Sequence, residues 1–160
     1  MPDDRPVNFA SPANQPILAH LRIDNPGEAV FTRAAEVHAL KLGMSLGTHP
    51  DLVDYLWGLA RDLPGECAGV INQRSSPILV NPTSGILFAM AGGTDTMAFR
   101  LPEPERSAAM AVPGYGAEYH YPHSVVRASS LGDDWALVKP FEKIIVAWCR
   151  RAYDYAGTLR

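Results

Sequence analysis

Residues 78–101, ILVNPTSGILFAMAGGTDTMAFRL, decide how the rest of the chain is read. Three short apolar runs, Ile78–Val80, Ile86–Ala91 and Thr96–Leu101, are separated first by Asn81-Pro82-Thr83-Ser84-Gly85 and then by Gly92-Gly93. Gly reaches positive φ without a Cβ clash, and a two-residue Gly-Gly link matches the primed turns that follow strand twist. The second break therefore predicts a tight hairpin. The first carries Pro and Gly where a longer turn needs them. Together they predict the seed of an antiparallel sheet.

Upstream, Cys67–Asn72 reads as a further strand and Arg74-Ser75-Ser76-Pro77 as the turn that joins it to the three runs. Before it, Thr48 or His49 precedes Pro50 and Asp51, with Leu52, Leu56, Leu59 and Leu63 on one helical face and Val53, Trp57 and Ala60 beside it; Pro64-Gly65 ends the pattern. An earlier helix is expected from Asn25 to Gly43. Asn25, Pro26 and Glu28 have the spacing of a capping box with Pro in the first turn, and Val30, Ala34, Val37, Leu40 and Met44 form its apolar stripe. The short link Gly43 to Gly47 favours an antiparallel helix pair. Residues 1–16 hold four of the fourteen prolines and little periodicity, which predicts a flexible or surface-lying segment.

Downstream, the pattern breaks from Pro102 to Pro122 and predicts a long connection without regular structure. Val125–Arg127 and Trp135–Val138 then read as strands. Ile144, Ile145, Trp148, Ala152 and Tyr155 recur at helical spacing, with Gly157 as the stop. Strands adjacent in sequence, rather than alternating with helices, predict an α+β class. The expectation is one domain over residues 17–160, with a mainly antiparallel sheet of about five or six strands packed with an N-terminal helix pair and a C-terminal helix.

Composition narrows the function classes. At 160 residues there is enough chain for one real core, and no apolar run approaches the roughly 18 residues of a membrane span. A net charge of −3 argues against a nucleic-acid partner. Eleven of the fourteen basic residues are Arg, a type suited to planar contacts with carboxylates and phosphates. The polar start, with acids ahead of any apolar run, is unlike a secretory signal, so a cytoplasmic, bacterial-type protein is expected. Cys67 and Cys149 lack metal-site or redox spacing and are expected as reduced core thiols.

The richest candidate site is GYGAEYHYPH, residues 114–123, which gathers Tyr115, Glu118, Tyr119, His120, Tyr121 and His123. Tyrosine offers large contact area at low entropic cost, which fits a partner-binding loop spanning 102–122. The leading expectation is a non-catalytic protein-binding module of the immunity or antitoxin type, with no cofactor, no membrane and no nucleic acid. Its partner is another protein, either a toxin or a second copy of the chain. One alternative is a small hydrolase or metal-dependent enzyme using Glu118, His120 and His123. In an extended segment, however, His123 alternates away from the other two. A structural homodimer is the other alternative. Gly92-Gly93-Thr94-Asp95-Thr96 is flanked by strands rather than opening a helix, so it is not read as a phosphate loop.

Overall fold

The computed structural model describes residues 6–39, 48–72, 76–93, 96–111, 118–121 and 124–160, giving the backbone alone for residues 38–39, 118–121 and 124–127. Pro77–Asn81 (β3), Ile86–Gly92 (β4) and Thr96–Arg100 (β5) form the centre of a six-stranded antiparallel sheet. Phe31–Arg33 (β1) and Ala68–Ile71 (β2) extend it on one side, and Trp135–Val138 (β8) on the other. Glu118–Tyr121 (β6) and Ser124–Arg127 (β7) pair with each other in a separate two-stranded ladder. The helices are Gln15–His20 (α1), Ala34–Ala39 (α2), Pro50–Leu59 (α3), Glu105–Ala111 (α4) and Ile144–Ala156 (α5). The fold is a single-domain α+β arrangement with an antiparallel sheet, as the apolar runs predict.

Both faces of the sheet are covered, which is why β3 and β5 are buried along their whole length instead of alternating. Leu79, Phe88, Ala91, Met97 and Phe99 face α3 and α5, where Leu52, Leu56, Trp148, Cys149 and Tyr153 close the core. Ile78, Val80, Leu87, Ala98 and Leu137 face the opposite way, onto Val7, Phe9, Ile17 and Leu18. A register shift between Leu79 and Val80, where β4 carries the extra residue Phe88, lets Phe88 and Ala89 both serve the helical face.

Four expectations meet a different structure. The segment expected to lie on the surface is packed from Pro6 onward: Val7 and Phe9 are buried, Asn8 donates from its backbone N–H to Gly85 at 2.9 Å, and Asn14 is fully enclosed. The helix expected from Asn25 is a 3-10 turn, Pro26–Glu28, followed by β1 and only then by α2. Tertiary pairing overrides the helical stripe here. Phe31, Thr32 and Arg33 take the register of Ile71, Val70 and Gly69. Asn72 closes the pair by donating to the Val30 carbonyl at 2.7 Å and accepting from the Val30 N–H at 3.0 Å. Gly69 is required for the approach, since a Cβ there would run into the Thr32 carbonyl oxygen and lie 2.6 Å from the Phe31 ring. The link Gly43–Gly47 lies outside the described residues.

The third difference is the connection after Leu101, which contains α4 and β6 rather than irregular chain. Helix α4 packs beside β8, where Arg106 donates to the Trp135 carbonyl at 3.2 Å and so occupies a hydrogen-bonding group of an edge strand. The fourth is the second hairpin. Gly92 pairs with Thr96, so the connection holds three residues, with Gly93 at φ +61°; residues 94 and 95 lie outside the described residues.

Candidate functional site

Of the residues singled out in the aromatic segment, Tyr115 and His123 lie outside the described residues. Glu118, Tyr119, His120 and Tyr121 are placed by backbone on β6, in register with Arg127, Val126, Val125 and Ser124. The side chains of Glu118 and His120, like His123 as a whole, lie outside what the structure describes. Among the described residues, no group of three or more His, Cys, Asp and Glu is arranged to hold a metal ion.

The two thiols are buried and free. Burial pushes Cys67 up to about 11; burial, with Cys67 adding to it, pushes Cys149 up to about 12. At neutral pH both are protonated, and a protonated thiol is a poor nucleophile. Cys67 directs its Sγ toward the Pro64 carbonyl at 3.5 Å. These are packing residues.

One end of the sheet concentrates buried polar groups. Arg100 is 2% exposed. Its Nε donates to the Leu87 carbonyl at 2.8 Å, Nη1 to both Asp134 carboxylate oxygens at 3.1 Å, and Nη2 to the Ala13 carbonyl at 2.9 Å. The Tyr155 hydroxyl donates to the same carboxylate at 3.1 Å, and the guanidinium stands 5.1 Å over the Trp135 ring. Next to it, Asn14 donates to the carbonyls of Asn8 at 2.8 Å and Gly85 at 2.9 Å, and accepts from the Leu87 N–H at 3.0 Å. The cluster ties the N-terminal layer, three strands and α5 together. Its donors are turned inward onto this chain, as in a structural clamp.

The outer side of α3 and the start of α5 have the opposite character. His49 caps α3, its Nδ1 accepting from the Asp51 N–H at 3.1 Å, and Leu52, Val53, Leu56 and Trp57 turn into the core. That leaves Tyr55, Gly58 and Leu59 only partly covered. Across from them Phe141 is 62% exposed and Val146 64% exposed, with Ile144 at 46% in the first turn of α5. Tyr55 and Phe141 stack with centroids 4.4 Å apart at 45°. Burial raises the Tyr55 pKa, and a hydrogen bond from the Phe141 backbone partly opposes the rise. Between the helices runs a groove of about 310 Å³ lined by Tyr55, Leu59 and Val146, with Asp54, Arg61 and Asp62 at its rim and Gly58 between them.

Phe141 carries a backbone anomaly. Its φ is +73°. With Pro140 before it, this is the pattern of a turn whose second central residue is usually Gly; a bulky side chain in the left-handed region is strained by about 1–2 kcal/mol. The chain thus holds a phenylalanine in an unfavourable conformation and leaves the residue largely exposed. A second, larger cleft of about 530 Å³ lies between Val7–Ala10, Pro26–Gly27 and Pro82–Gly85. It is lined by turn residues, with no charged side chain among the described residues.

Sequence reading missed this surface. Its available signals were Val146, which is off the Ile145/Trp148/Ala152 stripe, and a glycine between Trp57 and Leu59 in an otherwise strong helix. No protein-family model, curated protein or solved structure significantly matches the chain. Among the described residues, no helix is long and apolar enough to cross a membrane.

Proposed function

We propose that the protein is a small non-catalytic binding module that works by stoichiometric association with another protein. The observation that carries this is Phe141, held at φ +73° and 62% exposed while its ring stacks on Tyr55. Backbone strain that presents an apolar ring to water destabilises the isolated chain twice, and contact with a partner offsets both effects. The tyrosine-bearing ladder β6–β7 supplies a second contact region, its outer edges pairing with no further strand among the described residues.

Occlusion of an enzyme's active site, as an immunity or antitoxin protein does, is the form of association that asks no chemistry of the binder. The acidity of the chain, −3 overall, favours encounter with a basic surface. The test is affinity capture from the native host with the wild-type chain, Phe141→Asp and a chain lacking residues 112–121. A stoichiometric protein retained by the wild type and lost with either variant supports the reading. Recovery of none, or equal recovery by all three, contradicts it.

A further inference from the structure

The cleft of about 530 Å³ between residues 6–10, Pro26–Gly27 and the turn 82–85 shares no residue with the groove of α3 and α5. Segments distant in sequence build it, and hydrogen bonds fix their positions. The Asn8 N–H donates to the Gly85 carbonyl at 2.9 Å, and the Asn14 amide donates to the carbonyls of both residues. Gly85, at φ +74°, admits that approach, since a Cβ there would lie 2.6 Å from the Asn8 nitrogen. In the turn, Asn81 Oδ1 accepts from the N–H groups of Thr83 at 3.0 Å and Ser84 at 3.2 Å. With the rigid rings of Pro6, Pro26 and Pro82 in its lining, the cleft is preformed, and its volume is in the range of small-molecule sites.

The polar side chains of the lining keep hydrogen-bonding capacity to spare among the described residues. Asn8 accepts from the Ala10 N–H through Oδ1 at 3.1 Å and keeps its amide hydrogens. Ser84 accepts from the Ile86 N–H through Oγ at 3.3 Å and keeps its hydroxyl hydrogen. The Thr83 hydroxyl has no partner among the described residues. All of these groups are neutral.

That chemistry selects the ligand class by elimination. A phosphate or carboxylate entering the cleft would lose water without gaining a counter-charge from the lining residues. An apolar ligand would shield the amide and the hydroxyls from water and give them no partner. An added peptide strand pairs along a strand edge, and the walls here are turns. A compact neutral ligand with several hydroxyl groups meets all three conditions, because each hydroxyl both donates and accepts and the C–H faces can lie on the proline rings. We infer that the cleft binds a mono- or disaccharide, with its hydroxyl groups bonded to Asn8, Thr83 and Ser84. This site is independent of the Phe141 face, and either reading can fail without the other.

The experiment is a proton–nitrogen NMR titration of the full chain with glucose, galactose, mannose, N-acetylglucosamine, maltose and lactose. At least one is expected to shift the amides of residues 7–10, 27 and 83–85 saturably, and the uronic acid of the best binder is expected to bind several-fold more weakly. Thr83→Val keeps the side-chain shape and removes the hydroxyl, for an expected weakening of roughly three- to tenfold. At Gly27 a Cβ would meet nothing nearer than Asn25 Oδ1 at 3.5 Å, so Gly27→Leu can fill the cleft without disturbing the fold and is expected to abolish binding. Circular dichroism establishes that each variant is folded. A panel in which no sugar shifts those amides overturns the inference, as does a uronic acid that binds more tightly or binding that both variants leave unchanged. A blocked tetra-alanine peptide that shifts the same amides where no sugar does also overturns the saccharide assignment.

Discussion

Around Arg100 a guanidinium and the amide of Asn14 are taken out of water and a carboxylate is partly shielded, and the hydrogen bonds they lose there are replaced from within the chain. The Trp135 indole N–H is the exception, buried with no hydrogen-bond partner among the described residues. The outer face of α3 and α5 also carries local costs: a strained Phe141, a glycine inside a helix, and apolar rings in water. Among the described residues, the chain answers there with the Tyr55 stack and the hydrogen bond from the Phe141 backbone to Tyr55. The contrast separates two kinds of unfavourable feature. Those offset inside the chain hold the fold together. Those left without an offset mark where something else is expected to bind.

The comparison can be broken most forcefully at the clamp. Arg100→Ala would leave the carbonyls of Leu87 and Ala13 without their donor and the partly exposed Asp134 with Tyr155, with an expected loss of about 3–5 kcal/mol in denaturant unfolding. A loss below about 1 kcal/mol would mean that the cluster is not a structural clamp. Asn14→Ala removes two donated bonds and the acceptor for the buried Leu87 N–H, so a loss of roughly 2–3 kcal/mol is expected from the same measurement. That result would also show that the N-terminal layer belongs to the cooperative unit.

At the exposed face the signs should reverse. Gly58→Ala, in the last turn of α3, is expected to stabilise the isolated chain by up to about 0.5–1 kcal/mol, because the methyl group enters open space and the helix gains propensity. Phe141→Gly relieves about 1–2 kcal/mol of left-handed strain and forfeits about 0.5–1.5 kcal/mol of ring stacking. Its unfolding midpoint should therefore barely move while partner binding is lost. A large drop in stability with binding retained would make Phe141 a folding residue and end the contrast.

The thiols give the smallest effect at neutral pH. Both folded pKa values lie above the unfolded value, so their contribution is fully present below about pH 8.5 and is lost as pH rises toward about 11 and 12. Unfolding midpoints compared at neutral and alkaline pH should show that decline. Thiol-specific reagents at neutral pH should label Cys67 and Cys149 only after denaturation.

The central meander was legible because each device in it is local: apolar runs of strand length, with turns built from Asn81 to Gly85. Helices α3 and α5 were legible from their stripes. What failed was decided at long range. Nothing within residues 25–44 tells that Phe31–Arg33 will pair with Gly69–Ile71, because the glycine that admits it lies on the other strand. Helix α4 was hidden by Pro102 and Pro104, although Glu105-Arg106-Ser107-Ala108-Ala109-Met110 is good helix-forming sequence. The packing of Val7 and Phe9 depends on Asn14 reaching Gly85 across the sheet. Phe141 could not have been found, since a positive φ on a phenylalanine leaves no mark in sequence. The tyrosine segment was conspicuous by composition, whereas the surface singled out by physical cost is marked mainly by conformation and exposure.

Hydrogen exchange read by mass spectrometry, on the chain alone and on the chain with the protein recovered by affinity capture, tests the central claim most directly. Backbone amides of residues 50–63 and 139–148 should slow in the complex, with those near Arg100 unchanged. Exchange in the α3 and α5 segments that is the same with and without the bound partner would contradict it.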